Sequence, residues 1–155
     1  MRLGHASFLL LLLATVSCGG QDRPIQYESV TIEQVGARNG KGELTHRYVQ
    51  VEGWLSMPAR IVTVFGGGTW VTLSERAHDG KTVETSIKVG KTGASRLIKT
   101  ADMYDERTLK IADRDGALLS FSDPVVIRGE LRIGVGQGQP DYYVDVDDIG
   151  KAAPR

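Results

Sequence analysis

Most of the chain alternates between apolar and polar residues with a period of two, which is typical of half-buried β-strands. The alternation is clearest in residues 125–133, where valine, isoleucine and leucine share one face and charged residues share the other. The same period predicts further strands over residues 48–55, 69–73, 82–89, 108–112 and 142–147. Two of these strands carry a central glycine, Gly53 and Gly129, at which a strand can bend or bulge.

The segments between these strands contain turn signals and few helix signals. Residues 113–116 (Asp-Arg-Asp-Gly) predict a tight turn, so residues 117–121 can return as the second arm of a hairpin. Residues 27–35 fit either a strand or a short helix capped by Ser29 or Thr31. Residues 95–99 could form one helical turn. No long segment repeats its apolar residues every 3.6 positions, so the predicted class is all-β.

The composition is that of an ordinary globular protein. Hydrophobic residues make up 41% of the 155 residues, charged residues make up 25%, and the formal net charge is zero. This length favours one domain. A neutral chain does not have the basic surface that neutralises a nucleic-acid backbone, so the charge balance argues against a nucleic-acid partner.

The first seventeen residues differ from the rest of the chain. Arg2 precedes an apolar run over residues 6–16. This run is too short to cross a bilayer as a helix, which needs roughly 20 residues, but it has the length of a signal-peptide core. A small residue, Ser17, then precedes Cys18, which is the only cysteine in the sequence.

This arrangement resembles the lipobox of bacterial lipoproteins, with Thr15 where that family usually has leucine. The resemblance implies that a diacylglyceryl group is attached to Cys18, that the chain is cut before it, and that the new amino terminus receives an acyl chain such as palmitate. Because Gly19 rather than aspartate follows, it also implies the outer membrane of the cell envelope, facing the periplasm. The alternative is an ordinary secretory signal with an incidental cysteine.

The alternating strands predict a small five-stranded barrel with an inserted hairpin. The pattern over residues 45–150 resembles an OB-fold, and in particular the small OB-type lipoproteins of bacterial envelopes. The resemblance is carried by residues 49–55, 70–73, 126–131 and 143–149. The hairpin at 108–121 stands where that family usually has a helix, so a β-sandwich or an open meander remains an alternative.

These patterns divide the chain into four parts. We expect a lipoprotein signal peptide at 1–17, the lipidated cysteine with its tether at 18–26, an OB-like β domain at 27–150 and a C-terminal tail at 151–155. The six residues that follow Cys18 up to Pro24 can extend to at most about 20 Å. The sequence therefore predicts a domain that stays close to a membrane surface.

Few residues suggest catalysis or metal binding. The sequence has no His-Glu-x-x-His or paired Cys/His motif and no Gly-x-Ser-x-Gly motif, and His46 and His78 lie in polar segments. The glycines at 66–68 and 134–138 stand between predicted strands and are interpreted as turns. The four aspartates of residues 141–148 lack EF-hand spacing and are interpreted as a solvated face. We therefore expect no catalytic residue, no metal and no cofactor.

Trp54 and Trp70 are the candidate binding residues, because both point away from the apolar face of their strands. In OB-folds, aromatic side chains on the outer surface of the barrel stack on ligands. Residues 81–99 are basic, and Lys88 and Lys91 could complete an aromatic and cationic groove for an anionic glycan or a peptide. The alternative is that neighbouring segments cover the tryptophans, since tryptophan is usually well buried.

The sequence therefore predicts a membrane-anchored envelope lipoprotein whose barrel is a non-catalytic binding module for a protein partner or an envelope polymer. Two alternatives stay open. Oligonucleotide binding rests on analogy with other OB-folds alone, which is a weak argument for function. A small hydrolase or metal-dependent enzyme would need a pocket where serine, histidine or acidic groups converge.

Overall fold

The computed structural model describes residues 24–57, 63–64, 68–77, 79–99 and 109–153. The predicted signal peptide, Cys18 and His78 lie outside these residues. The described residues form one helix and ten strands. They are β1 (Glu28–Ser29), α1 (Ile32–Asn39), β2 (Tyr48–Ser56), β3 (Thr63–Val64), β4 (Gly68–Arg76), β5 (Asp79–Gly90), β6 (Arg96–Lys99), β7 (Leu109–Ala112), β8 (Leu118–Leu119), β9 (Val125–Ile133) and β10 (Tyr142–Lys151).

Five of these strands close into a barrel. Around the ring, β2 pairs with β4, β4 with β5, β5 with β10, β10 with β9, and β9 again with β2. Every pairing is antiparallel except that of β5 with β10, which is parallel. The ring confirms the predicted five-stranded barrel and is consistent with an OB-like fold. Its closure excludes the open meander and the sandwich.

The barrel closes because β2 changes partner along its length. Its first part, up to Gly53, pairs with β9, and the part from Trp54 onward pairs with β4. A methyl group on Gly53 would lie 2.5 Å from the carbonyl oxygen of Ser74, so the backbones approach more closely than any side chain permits. The two central glycines predicted to mark bends are therefore sites of close contact between strands, and Gly129 is the tighter of the two.

The inward faces of the barrel strands are mainly apolar, as the alternation predicts, and the buried hydroxyl of Thr85 donates a hydrogen bond to the Val71 carbonyl. Val51, Leu73, Ile87, Ile127 and Val144 are among the fully buried side chains, and each comes from a different strand of the ring. Burial of such a side chain contributes about 1.5–3 kcal/mol relative to exposure. The core sits inside the ring and continues beyond both of its ends.

Helix α1 covers the end of the barrel where β2 and β5 begin. Thr31 starts the helix with a capping box: its hydroxyl accepts a hydrogen bond from the Gln34 amide, and the Gln34 side chain accepts one from the Thr31 amide. Of the two interpretations of residues 27–35, the helix capped by Thr31 is right from Ile32 onward, while Glu28–Ser29 form the short strand β1. Val35 and Leu44 are fully buried and join the core from this end.

A small sheet covers the opposite end of the barrel. Strand β6 pairs with the last residues of β5, β7 pairs with β6, and β8 pairs with β7. The predicted hairpin at 108–121 is confirmed by the antiparallel pairing of β7 with β8. The prediction of a helical turn at 95–99 is wrong, because Arg96–Lys99 form strand β6, which hydrogen-bonds to β5 on one side and to β7 on the other. Leu97 is buried and lies opposite Ile111 of β7.

Candidate binding surface

The outer surface of the barrel groups aromatic and charged side chains around Tyr143. The strand register sets this grouping, because Tyr143 on β10 lies opposite Glu84 on β5 and opposite Arg132 on β9. We call this surface the Tyr143 face. Its members are Trp70, Glu84, Lys88, Glu130, Arg132, Tyr143, Asp145 and Asp147.

Trp70 packs against Tyr143 at the centre of this face. The two ring centroids are 4.6 Å apart and the ring planes meet at 79°, which is the favoured edge-to-face arrangement. The contact passes over β5, where the small side chain of Ser86 lies opposite Trp70. Trp70 lies outside the core cluster yet is only 9% exposed, so most of its surface is already covered.

Sequence reasoning did not select Tyr143 as a binding residue. The period-two alternation of residues 142–147 puts Tyr143 on the face opposite Val144 and Val146, and this is the signal that could find it. Its contact with Trp70 depends on the parallel pairing of β10 with β5, which a local pattern does not reveal.

The structure does not bring Trp54 and Trp70 together. Trp54 lies on β2 opposite Ser74, and Ser74 is four residues along β4 from Trp70. At about 3.3 Å per residue this places the two tryptophans roughly 13 Å apart along the strands. Trp54 is half-buried and lies outside the Tyr143 face.

The basic segment at 81–99 is spread along the whole of β5 and beyond it. Lys81, near the start of β5, forms an ion pair with Glu33 of α1. Lys88 is exposed, lies opposite Gly68 and is diagonal to Trp70. Lys91 is exposed just after β5 ends. Of the cations expected to line a groove, the register therefore places Lys88 on the Tyr143 face and puts Lys81 at the other end of the strand.

The Tyr143 face carries more carboxylates than cations. Arg132 contacts two of them, with one guanidinium nitrogen 2.8 Å from Glu130 and another 3.4 Å from Asp145. Crowding by the surrounding protein, which removes part of its hydration, and the charge of Asp145 raise the pKa of Asp147. Together with Glu84, these acidic groups outnumber Lys88 and Arg132, so the face is acidic overall.

Asp148, the last of the four aspartates of residues 141–148, has a structural position. Its carboxylate lies 2.7 Å from Arg128 and 3.0 Å from Arg114. Arg114 belongs to the turn before β8, so these ion pairs attach the small sheet to the barrel. Across the described parts of the chain, no three histidine, cysteine, aspartate or glutamate side chains are placed to share a metal ion.

A cavity of about 400 Å³ opens beside the start of α1. It is lined by Val30, Thr31, Ile32, Gln50, Glu52, Glu75 and Arg76. The Thr31 hydroxyl is engaged in the helix cap. The ionisable side chains of the lining are the carboxylates of Glu52 and Glu75 and the guanidinium of Arg76.

Glu130 makes the stability of the barrel depend on pH. A hydrogen bond with His46, whose Nδ1 lies 3.1 Å away, and the guanidinium of Arg132 lower the pKa of Glu130 from its usual 4.5. The folded form therefore holds this carboxylate ionised more strongly than the unfolded form does. The contribution of the ionised Glu130 carboxylate to the free energy of unfolding is complete above pH 4.5. It is lost as the pH falls through the pKa that Glu130 has in the folded protein.

We expect the Glu130→Gln variant to unfold more easily than the parent protein at neutral pH. The difference should shrink as the pH falls below 4.5, because the parent then loses the same ionised group. Urea unfolding over a pH series measures this difference. Asp141→Asn serves as the control, because the Asp141 carboxylate is exposed and lies outside the Tyr143 face. A difference that stays constant across the series would contradict this account.

Among the described residues, none of the helical structure has the length and apolar character needed to span a bilayer. Comparison of the sequence with models of protein families found no match, and comparison with curated proteins found none.

Proposed function

We propose that this protein is an exported bacterial envelope lipoprotein, held to the outer membrane by lipid on Cys18, whose barrel is a non-catalytic binding module. The observation that carries the binding role is the Tyr143 face, where an aromatic pair is surrounded by charges on the outer surface. Helix α1 and the small sheet cover the two ends of the barrel, so a partner would meet its outer surface.

A protein partner fits the Tyr143 face better than an anionic polymer does. Interfaces between proteins favour tyrosine and arginine. On this face Arg132 is exposed and Tyr143 is half-buried, with Trp70 packed beside the Tyr143 ring. Its carboxylates outnumber its cations, which would repel an acidic glycan or a nucleic-acid backbone. Complementary charge would instead select a partner whose surface carries both signs with an excess of basic groups.

The anchor is supported by the sequence of the first twenty residues. Cys18 has no other cysteine in the sequence with which to form a disulfide, and it directly follows the apolar run and a small residue. A single acyl chain holds a protein to a bilayer only marginally, at about 0.8 kcal/mol per buried methylene. Two or three chains on one cysteine would make the attachment effectively permanent.

The anchor is tested by growing cells with an alkyne analogue of palmitate and detecting the label on the purified protein. We expect the parent protein to be labelled and the Cys18→Ser variant to carry no label and to keep its signal peptide. Ser17→Ala is the matched control, because it keeps a small residue before the cysteine. The anchor is refuted if the parent protein takes no label or if the Cys18→Ser variant keeps it.

The binding role is tested with a photo-crosslinking amino acid placed at Lys88, which is exposed beside Trp70 and leaves the aromatic pair intact. The control position is Leu118, which is 63% exposed on the small sheet. We expect one saturable adduct of defined mass from position 88 and none from position 118. Asp145→Lys should raise the partner concentration needed for half-maximal adduct about tenfold, which corresponds to about 1.4 kcal/mol of binding free energy. Equal adducts from both positions, or none from position 88, would refute the proposal.

A further inference from the structure

Exposed apolar side chains are concentrated at one end of the barrel. Among the described residues, five large apolar side chains are exposed. Ile25, Tyr48, Ile133 and Val135 share one end of the barrel, and Val135 is 94% exposed. Scattered surface apolar residues need no explanation, but a group of them marks a surface that meets another apolar phase.

The strand register places these four residues together. Tyr48 begins β2 opposite Glu130 of β9, and Ile133 is the last residue of β9. Strand β1 runs parallel to β2 on its other side, and the ring of Tyr27 packs against that of Tyr48 at 5.9 Å, with Ile25 two residues earlier. Val135 follows in the turn between β9 and β10. We call this region the entry end.

The turn from β9 to β10 offers no charged group to solvent at its tip. Residues 134–140 contain three glycines, two glutamines, a proline and Val135, and the first charge after them is Asp141. Hydration of the exposed apolar surface is unfavourable by about 25 cal/mol per Å². Arg47 supplies a cation beside the apolar group: its side chain is 62% exposed, although one of its nitrogens lies 3.7 Å from the Glu28 carboxylate.

The described chain also begins at this end of the barrel. Pro24 precedes Ile25 directly, and Cys18 lies six residues before Pro24, a distance of at most about 20 Å when extended. A lipid on Cys18 would therefore keep the entry end nearer to the bilayer than the small sheet, which lies at the opposite end of the barrel.

We propose that the entry end rests in the phospholipid interface, with Val135 and Ile133 reaching below the headgroups and Tyr48 lying at headgroup level. Tyrosine is favoured at this depth because its ring is apolar and its hydroxyl is polar. Arg47 would meet anionic headgroups. This inference rests on the proposed lipid anchor, and it adds that the barrel has a fixed orientation on the membrane, with the small sheet pointing away.

The test compares a fluorescent bimane label at the entry end with one at the opposite end. Val135→Cys places the label at the turn, and Leu118→Cys is the matched control, an exposed apolar residue on the small sheet. The full lipoprotein is purified from bacterial membranes and reconstituted into vesicles of phosphatidylethanolamine and phosphatidylglycerol. A lipid anchor blocks the Cys18 thiol, so the parent protein should take no label.

We expect the label at position 135 to emit at shorter wavelength and to be quenched several-fold more by doxyl-labelled lipid than the label at position 118. Iodide in the aqueous phase should quench them in the reverse order. Flotation of the vesicles measures attachment separately from orientation. Because Val135 is almost fully exposed, its replacement should leave the fold intact.

Each outcome supports or overturns the inference. If the protein floats and the two labels respond alike, the orientation is wrong while the anchor stands. The label at position 135 could also be shielded from iodide in native envelope membranes but not in vesicles of pure lipid. That result would show that the entry end contacts a protein, and it would overturn the inference too. If the protein does not float, or the parent takes label at Cys18, then both the anchor and the inference that rests on it fail.

Discussion

Replacing Gly129 by alanine is expected to destabilise the barrel by about 3 kcal/mol or more, at the upper end of overpacking effects. Gly129 lies in β9 between Val49 of β2 and Val146 of β10. A methyl group there would sit 2.1 Å from the carbonyl oxygen of Asp145 and 2.8 Å from its carbonyl carbon. These are backbone atoms of a paired strand, so they can move only if the ladder between β9 and β10 opens.

The effect is measured by urea unfolding in a Cys18→Ser background, which leaves every barrel residue unchanged. Gly40→Ala is the control, because Gly40 has φ −56° and the nearest atom to its added methyl group would be 3.6 Å away. We expect the control to stay within about 0.5 kcal/mol of the parent. Similar midpoints for the two variants would show that the barrel relaxes around position 129.

Replacing Ile111 by alanine is expected to destabilise the protein by about 2–5 kcal/mol, the usual range for a truncated core side chain. Ile111 lies on β7 of the small sheet, is fully buried and belongs to the same core cluster as the barrel residues. If the small sheet is an integral part of the fold, truncation of Ile111 should lower the single unfolding midpoint of the whole protein.

Leu118→Ala on the neighbouring strand is the matched control. Leu118 pairs with Ala112 but is 63% exposed, so its truncation should change stability by less than about 0.5 kcal/mol. A separate early transition in the Ile111→Ala variant would show that the small sheet unfolds independently of the barrel. Circular dichroism together with tryptophan fluorescence distinguishes these outcomes, because both tryptophans lie in barrel strands.

The barrel strands could be predicted because each of them buries one face. In β9, for instance, Ile127 and Leu131 are inward while Arg128 lies on the other face, and the sequence carries that alternation directly. Residues 95–99 show where such reasoning fails. Their strand state comes from pairing with β5 and β7, and the tertiary contact between Leu97 and Ile111 overrides local preference.

The candidate site was harder to predict than the fold because it depends on contacts between distant residues. Trp70 is covered by Tyr143, and Lys81 is paired with Glu33, across separations of more than forty residues in both cases. Neither partner can be identified from periodicity. Cys18 lies outside the described residues, so its lipidation stays a prediction from the sequence alone.

The short strand β1 also determines how the domain responds to mechanical force. A pull applied at Pro24, directed away from the entry end, acts along β1 and loads its hydrogen bonds to β2 in shear. Bonds loaded in this way must break together, whereas a perpendicular pull would open them one at a time. The Glu28 carboxylate strengthens the attachment, since it lies 2.5 Å from Arg38 and 3.7 Å from Arg47. Two residues of parallel strand would thus act as a clamp where tension applied at Pro24 enters the barrel.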